Sequence, residues 1–140
     1  MRGMLITREC DYAVRVIRAL NGESRLSVNE ICEREDITAP FAYKILKKLQ
    51  KSELVVGFRG VHGGYALNKQ LSEISLLDIY LAIDPDLFII ECLNPHKPCS
   101  RNGVGDEACR VHNYLGEVQK TLQDMLAQRS LEEIMTQCSE

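Results

Sequence analysis

Apolar residues recur at helical spacing in three segments of the first 51 residues. The first segment runs from Thr7 to Leu20, and its apolar positions are Ala13, Val16, Ile17 and Leu20. The second starts at Ser27-Val-Asn-Glu30, a capping-box pattern, and ends near Glu35. The third follows Thr38 and runs to Lys51, with a core face of Ala42, Ile45, Leu46 and Leu49. Two helices joined by a tight turn, with a third packed in front, predict a helix-turn-helix.

Two short apolar runs surround a glycine-rich tip directly after the third helix. They are Leu54 to Phe58 and Tyr65 to Leu67, and the tip reads Arg59-Gly-Val-His-Gly-Gly64. Such runs predict a β-hairpin, which in this position is a wing. Ser75 then caps a fourth helix through Ala82, and Asp84-Pro85 stops it.

A second long helix is predicted from about Asp106 to Gln128. Its apolar residues step by four, three, four and three, as in a coiled-coil seam: Val111, Leu115, Val118, Leu122 and Met125. The seam favours a homodimer, and packing inside the same chain is the alternative. Ser130-Leu-Glu-Glu133 caps a last short helix.

These elements predict a fold that is mainly α with a small β-wing. We predict that residues 1–83 form a winged helix-turn-helix unit of the DNA-binding type, residues 84–105 a cysteine-containing loop, and residues 106–140 a dimerisation helix and the short C-terminal helix.

The composition is that of an ordinary globular protein, with 45% hydrophobic and 26% charged residues. Charged residues between Met1 and Asn21 exclude a signal peptide there, and no apolar run approaches the roughly 20 residues that span a bilayer. We therefore expect a cytoplasmic protein without a membrane partner. Thiols are usually reduced in that compartment, so six cysteines favour metal or redox chemistry over disulfides.

The net charge of −3 argues weakly against nucleic acid, but the charges are unevenly distributed. Four lysines share the third-helix face opposite the core, where they suit DNA phosphates: Lys44, Lys47, Lys48 and Lys51. A solvated lysine face is the alternative. The partner is predicted to be double-stranded DNA with a near-palindromic operator, since a two-fold dimer reads two half-sites. The predicted DNA contacts are Ser27, Thr38, Pro40, Tyr43, Lys44, Lys47, Lys48, Lys51, Arg59 and His62.

Three cysteines and a histidine follow the fourth helix, spaced C-x6-C-x9-C-x2-H: Cys92, Cys99, Cys109 and His112. Thiolates and imidazoles are the ligands of zinc and of iron–sulfur clusters, and the spacing alone does not choose between them. Cys109 and His112 stand three apart at the start of the long helix, so their side chains can point the same way. A cysteine is more often a small buried apolar residue, and we assign that role to Cys10, Cys32 and Cys138.

Together these features resemble the Rrf2 superfamily of bacterial winged-helix regulators, which includes IscR, NsrR and CymR. The resemblance covers nearly the whole chain. It rests on Met4-Leu-Ile-Thr-Arg-Glu-Cys-Asp-Tyr-Ala-Val14, Ser27-Val-Asn-Glu-Ile31, Leu46-Lys-Lys-Leu49 with Leu54-Val55, and above all Arg59-Gly-Val-His-Gly-Gly-Tyr65 and Ser75-Leu-Leu-Asp-Ile79.

The resemblance implies a homodimeric transcription factor that senses iron–sulfur status, redox state or nitric oxide through a cluster. Cys92, Cys99 and Cys109 match the cluster ligands by order and place. His112 is the favoured fourth ligand, which favours a 2Fe–2S cluster. Asp11 stands where some members supply a carboxylate from the partner subunit, which favours 4Fe–4S.

Two alternatives keep the fold without the cluster. One is a winged-helix repressor controlled by a partner protein or by thiol modification, and the other is a zinc-stabilised DNA-binding module. The chain has no C-x-x-C and no glycine-rich cofactor loop, so we predict that it is not an enzyme.

Overall fold

A computed structural model of the chain describes residues 6–96 and 109–136. The elements are α1 (Arg8–Leu20), α2 (Val28–Glu35), α3 (Ala39–Lys51), β1 (Val55–Phe58), β2 (Gly64–Leu67), α4 (Leu76–Ile83), α5 (Arg110–Gln128) and α6 (Leu131–Thr136). Two short 3-10 turns lie at Leu71–Glu73 and Glu91–Leu93. This order confirms the predicted winged helix-turn-helix followed by a long helix.

Hydroxyl side chains fix where most of the helices begin. Ser27 and Ser75 each accept a backbone N–H three residues on, from Glu30 and Asp78, whose carboxylates return the bond. Ser130 accepts the backbone N–H of Glu133 at the start of α6. Thr38 holds the N-cap position of α3 but makes no side-chain cap bond there.

The core of the winged-helix unit is built from α1 to α4 and the first wing strand. The predicted inner face of α3 is fully buried, with Ala42, Ile45, Leu46 and Leu49. The helix α6 returns to this unit, since the buried Leu131 joins the same core and its N–H donates to the Ile74 carbonyl at 2.8 Å. The short C-terminal helix, which we predicted to form one region with the long helix, therefore packs on the winged-helix unit.

The wing is a two-stranded antiparallel sheet in which Val55 pairs with Leu67 and Phe58 with Gly64. Leu26 and Tyr65 exchange backbone hydrogen bonds of 2.9 and 2.8 Å, which tie the wing to the start of α2. Gly64 makes this approach possible, because a Cβ there would lie 2.4 Å from the Leu26 carbonyl oxygen and φ is +149°. The second glycine of the Gly-Gly-Tyr motif is therefore required by the backbone.

The helix α5 packs on α4 and on the 3-10 turn Glu91–Leu93. It begins after Cys109, and the earlier start predicted at Asp106 lies outside the described residues. Within residues 6–96 and 109–136, no helix is both long enough and apolar enough to cross a membrane.

Candidate DNA interface and metal-binding loop

The start of α3 and the wing line one groove. Its walls include Ser27 and Val28 at the start of α2, Tyr43 of α3, and the wing residues Phe58, Gly60, Val61, Gly63, Gly64 and Tyr65. Tyr43 and Pro40 are exposed on the outer side of α3, as predicted for residues that meet base edges. Thr38 is also exposed, whereas the Ser27 hydroxyl is engaged as the cap of α2. Of the predicted DNA contacts, the groove brings Ser27 and Tyr43 beside the wing.

The four lysines of α3 divide into two pairs. Lys44 and Lys48 both approach Glu9 of α1, with Nζ to Oε1 distances of 3.3 and 3.0 Å. Lys48 is half-buried and also donates to the Ile83 carbonyl at 3.3 Å. Lys47 and Lys51 are exposed. Two of the predicted phosphate contacts thus already lie beside a carboxylate.

Glu9 is held ionised by these lysines. Burial by itself raises the pKa of Glu9, but the hydrogen bonds and positive charges of Lys48 and Lys44 outweigh it and lower the pKa below its ordinary value. No local sequence pattern indicates this contact, since Glu9 and Lys48 are 39 residues apart.

The tip of the wing carries Arg59 and His62, both exposed as predicted. Arg25, which was not among the predicted residues, contacts the wing at two points. Its guanidinium lies 4.2 Å from the centroid of the Phe58 ring and donates to the His62 carbonyl. Its position, two residues before the Ser27 cap of α2, is the one sequence feature that could have indicated Arg25.

Two of the four predicted metal ligands, Cys92 and His112, bring their side chains together at the start of α5. Cys92 lies on the 3-10 turn, and its sulfur is 3.4 Å from Nδ1 of His112. The sulfur of Cys109 caps α5 by accepting the His112 backbone N–H at 3.5 Å. The predicted fourth member, Cys99, lies outside the described residues. Among the described residues alone, no three His, Cys, Asp or Glu side chains come close enough together to hold a metal.

The other candidate ligands and cysteines lie apart from this loop. Asp11, the alternative fourth ligand, is exposed on α1 and pairs with Arg15 at 3.3 Å. Cys10 is buried in the core, as expected for an apolar role. Cys32 is half-buried, and burial raises the pKa of its thiol. Cys138 lies outside the described residues.

Gln119, like Arg25, was not among the residues predicted from the sequence. Only 6% of its surface is exposed, although it lies in the middle of α5. Its Oε1 accepts the Ile89 N–H at 2.8 Å, and its Nε2 donates to the Leu87 carbonyl at 2.7 Å. Spacing was the available signal, because Gln119 follows His112 by two helical turns and so shares its face.

The apolar seam of α5 is only partly covered. Val111, Val118 and Met125 are 66%, 39% and 67% exposed, whereas Leu115 and Leu122 are half-buried. Tyr114, which the predicted seam omitted, is 67% exposed on the same outer side. Val118, Leu122 and Met125 line an open apolar groove with Tyr114.

Comparisons with known proteins agree with this architecture. An rrf2-like HTH-type transcriptional regulator of Rhodobacter capsulatus is 31% identical over 141 residues, covering 88% of this chain and 93% of that protein. The HTH-type transcriptional regulator IscR of Photorhabdus laumondii is 29% identical over 94% of this chain and 79% of its own length. The structure of T. potens IscR superposes with a TM-score of 0.75 at 20% identity, covering 98% of this chain and 90% of that one. The global cysteine regulator CymR of B. subtilis gives 0.69 at 19% identity, covering 97% and 98%.

The structural likenesses confirm the winged-helix fold. The family described as Rrf2, iron-dependent transcriptional regulator, matches residues 6–137. The chain therefore belongs to the Rrf2 family and is a transcriptional regulator rather than an enzyme.

Proposed function

We propose that this regulator binds a near-palindromic operator as a homodimer and senses through an iron–sulfur cluster on Cys92, Cys99, Cys109 and His112. The contact between Cys92 and His112 carries the proposal. These residues are 20 positions apart, yet a thiol and an imidazole nitrogen lie 3.4 Å from each other, and the His112 backbone N–H donates to the sulfur of a second cysteine, Cys109. Soft sulfur donors with one imidazole are a suitable ligand set for a 2Fe–2S cluster.

On the DNA side, α3 would lie in the major groove with Pro40 and Tyr43 towards the bases. Lys47 and Lys51 would contact phosphates, and the wing would place Arg59 and His62 against the neighbouring minor groove. Lys44 and Lys48 would contribute less charge to DNA, because both already lie beside Glu9.

A second copy would cover the outer face of α5. Val111, Tyr114, Val118 and Met125 recur at steps of three, four and seven, which is the repeat of a helix pair. A monomer would leave these side chains in water. Pairing two copies would also present two recognition helices to two half-sites, as the proposed operator requires.

When bound, the cluster supplies electron transfer and reactivity towards oxidants and nitric oxide. The chain's own residues would turn a change at the loop into a change at the DNA. Lys48 of α3 reaches the Ile83 carbonyl, where α4 ends and the loop begins. A tenfold change in DNA affinity requires only about 1.4 kcal/mol between two arrangements. Asp11 of a second copy is the alternative fourth ligand and would favour a 4Fe–4S cluster.

Anaerobic purification with a visible spectrum and an iron and sulfide assay tests the cluster. We expect a coloured protein containing iron and sulfide, a colourless Cys99→Ala variant, and an unchanged Cys32→Ala control. A wild type that stays colourless after reconstitution with iron and sulfide would rule out the cluster. Zinc in that colourless protein would favour the zinc-stabilised module, and its absence would favour control by a partner protein or thiol modification.

A further inference from the structure

Gln119 binds two backbone groups of the segment between α4 and the turn at Cys92. Residues 84–90 form neither helix nor strand, so their backbone groups depend on other partners. Gln119 satisfies two of them at once, accepting from the Ile89 N–H and donating to the Leu87 carbonyl. Both ends of a buried amide are thereby used on a segment 30 or more residues away.

Gln119 is the last of three contacts along one face of α5. At the first turn His112 meets the Cys92 sulfur. One turn on, Gly116 lies under the Leu93 side chain, since a Cβ on this glycine would be 3.7 Å from Leu93 Cδ2. The next turn brings Gln119 to Ile89 and Leu87. Residues 92 and 93 thus lie beside the first two turns of α5 and residues 87 and 89 beside its middle, so the segment runs antiparallel to the helix.

We infer that Gln119 is a positioning residue that holds Cys92 against His112 before any metal binds. Without its two hydrogen bonds, residues 87–93 would gain freedom that metal binding would have to remove again. A ligand set ordered in advance binds more tightly, because less entropy is lost on binding. The role in metal affinity rests on the proposed function, whereas the placement of Cys92 does not.

Three variants test the role of Gln119. Gln119→Leu has similar bulk but makes neither hydrogen bond. Gln119→Glu keeps an acceptor for the Ile89 N–H and loses the donor to the Leu87 carbonyl. Gln123→Leu is the matched control, one turn further along the same helix. Two readouts apply to reduced, anaerobic protein: the rate at which iodoacetamide alkylates Cys92 without metal, followed by peptide mass spectrometry, and the affinity for Co²⁺ from its thiolate absorption bands.

We expect Gln119→Leu to speed alkylation of Cys92 by about tenfold, since each lost hydrogen bond weakens the closed arrangement several-fold. Its Co²⁺ affinity should fall by roughly 10- to 100-fold, the usual cost of removing a residue that orients a metal ligand. Gln119→Glu should fall between Gln119→Leu and the wild type, and Gln123→Leu should match the wild type. Alkylation of Cys32, which lies on α2, should be unchanged in all three.

An unchanged Cys92 alkylation rate in Gln119→Leu would overturn the inference. So would an equal acceleration at Cys32, because that pattern reports general unfolding. If Gln119→Leu does not fold, a wild-type Cys92 rate in Gln119→Glu would equally refute it. A wild type that binds no Co²⁺ while Cys92 becomes reactive in Gln119→Leu would support the positioning role and count against the metal site.

Discussion

The winged-helix unit buries its apolar side chains, whereas the helix α5 that follows the loop leaves many of its own exposed. In the former, the apolar faces of α1 to α4 meet each other, and residues such as Ile17, Leu46 and Ile79 have no exposed surface. Along α5, the one buried side chain among the described residues is the polar Gln119, while Val111 and Tyr114 lie in water. The DNA-binding unit is therefore stabilised by its own core. The loop and α5 make a few specific contacts, and the apolar residues on the outer face of α5 stay exposed.

The largest effect is expected at the proposed metal ligands. Cys92→Ala should abolish iron and sulfide uptake, because it removes a sulfur that already contacts His112. Cys32→Ala should keep wild-type iron content, since Cys32 lies on α2. Iron and sulfide assays after anaerobic reconstitution measure both. If both variants lost iron and sulfide equally, Cys92 would have no special role in holding the cluster.

The core provides the next largest effect. Leu46→Ala should lower the free energy of unfolding by about 2–5 kcal/mol, the usual range for a fully buried leucine. Tyr114→Ala on the outer face of α5 should cost much less at concentrations where the protein is monomeric. Urea unfolding followed by circular dichroism compares them. Similar losses would mean that α5 belongs to the same cooperative core.

The outer face of α5 should control association. Val118→Glu should weaken the dimer by about a hundredfold or more, because pairing would bury an unpartnered carboxylate. Lys120→Glu introduces the same side chain at an exposed position outside the apolar face and serves as the control. Sedimentation equilibrium gives both association constants. A Val118→Glu protein as dimeric as the wild type would place the dimer interface elsewhere.

The two pairs of lysines on α3 should differ in DNA binding. Lys47→Ala should weaken binding to all sequences alike and reduce the salt slope by about one, the value for one phosphate contact. Lys48→Ala should change the slope less, because Lys48 lies beside Glu9. Fluorescence anisotropy at several salt concentrations measures the slopes. If Lys47→Ala left both affinity and slope unchanged, α3 would not be the recognition helix.

The smallest effect concerns the pH dependence of the contact between α1 and α3. The pKa of Glu9 is lower in the folded protein than in the unfolded chain, so the folded state binds fewer protons there. Its stabilising contribution is complete above the unfolded value of about 4.5 and disappears as the pH falls through the lower folded pKa. Glu9→Gln should remove this part of the pH dependence, less than about 1 kcal/mol for a partly exposed ion pair. Unfolding curves between pH 7 and pH 3 would contradict this if the two proteins lost stability in parallel.

The fold was predictable because its signals are local. The capping boxes that begin at Ser27 and Ser75 each span only four residues and mark the starts of two helices. The spacing of Leu46 and Leu49 alone indicates that they share one buried face of α3. The wing followed from its glycines and the apolar runs on either side.

The contacts that join elements were less accessible to sequence reasoning. From Val111, a step of three reaches Tyr114 and a step of four reaches Leu115, and both steps stay on one helix face. The predicted seam took Leu115, because spacing alone does not separate the two. The docking of α5 on α4 decides which of them faces outward. The bonds of Glu9 to Lys48 and of Gln119 to Ile89 likewise depend on packing between distant segments.

Hydrogen–deuterium exchange of the anaerobic protein, with and without reconstituted iron and sulfide, tests the central distinction most directly. We predict that amides in residues 84–96 and 109–119 exchange at least about tenfold more slowly in the loaded protein, because ligation adds bonds between the loop and α5 to those that Gln119 already makes. The core amides of α1, α3 and α4 should exchange at the same rate in both states. A uniform change across the chain, or protection confined to the winged-helix unit, would contradict the account.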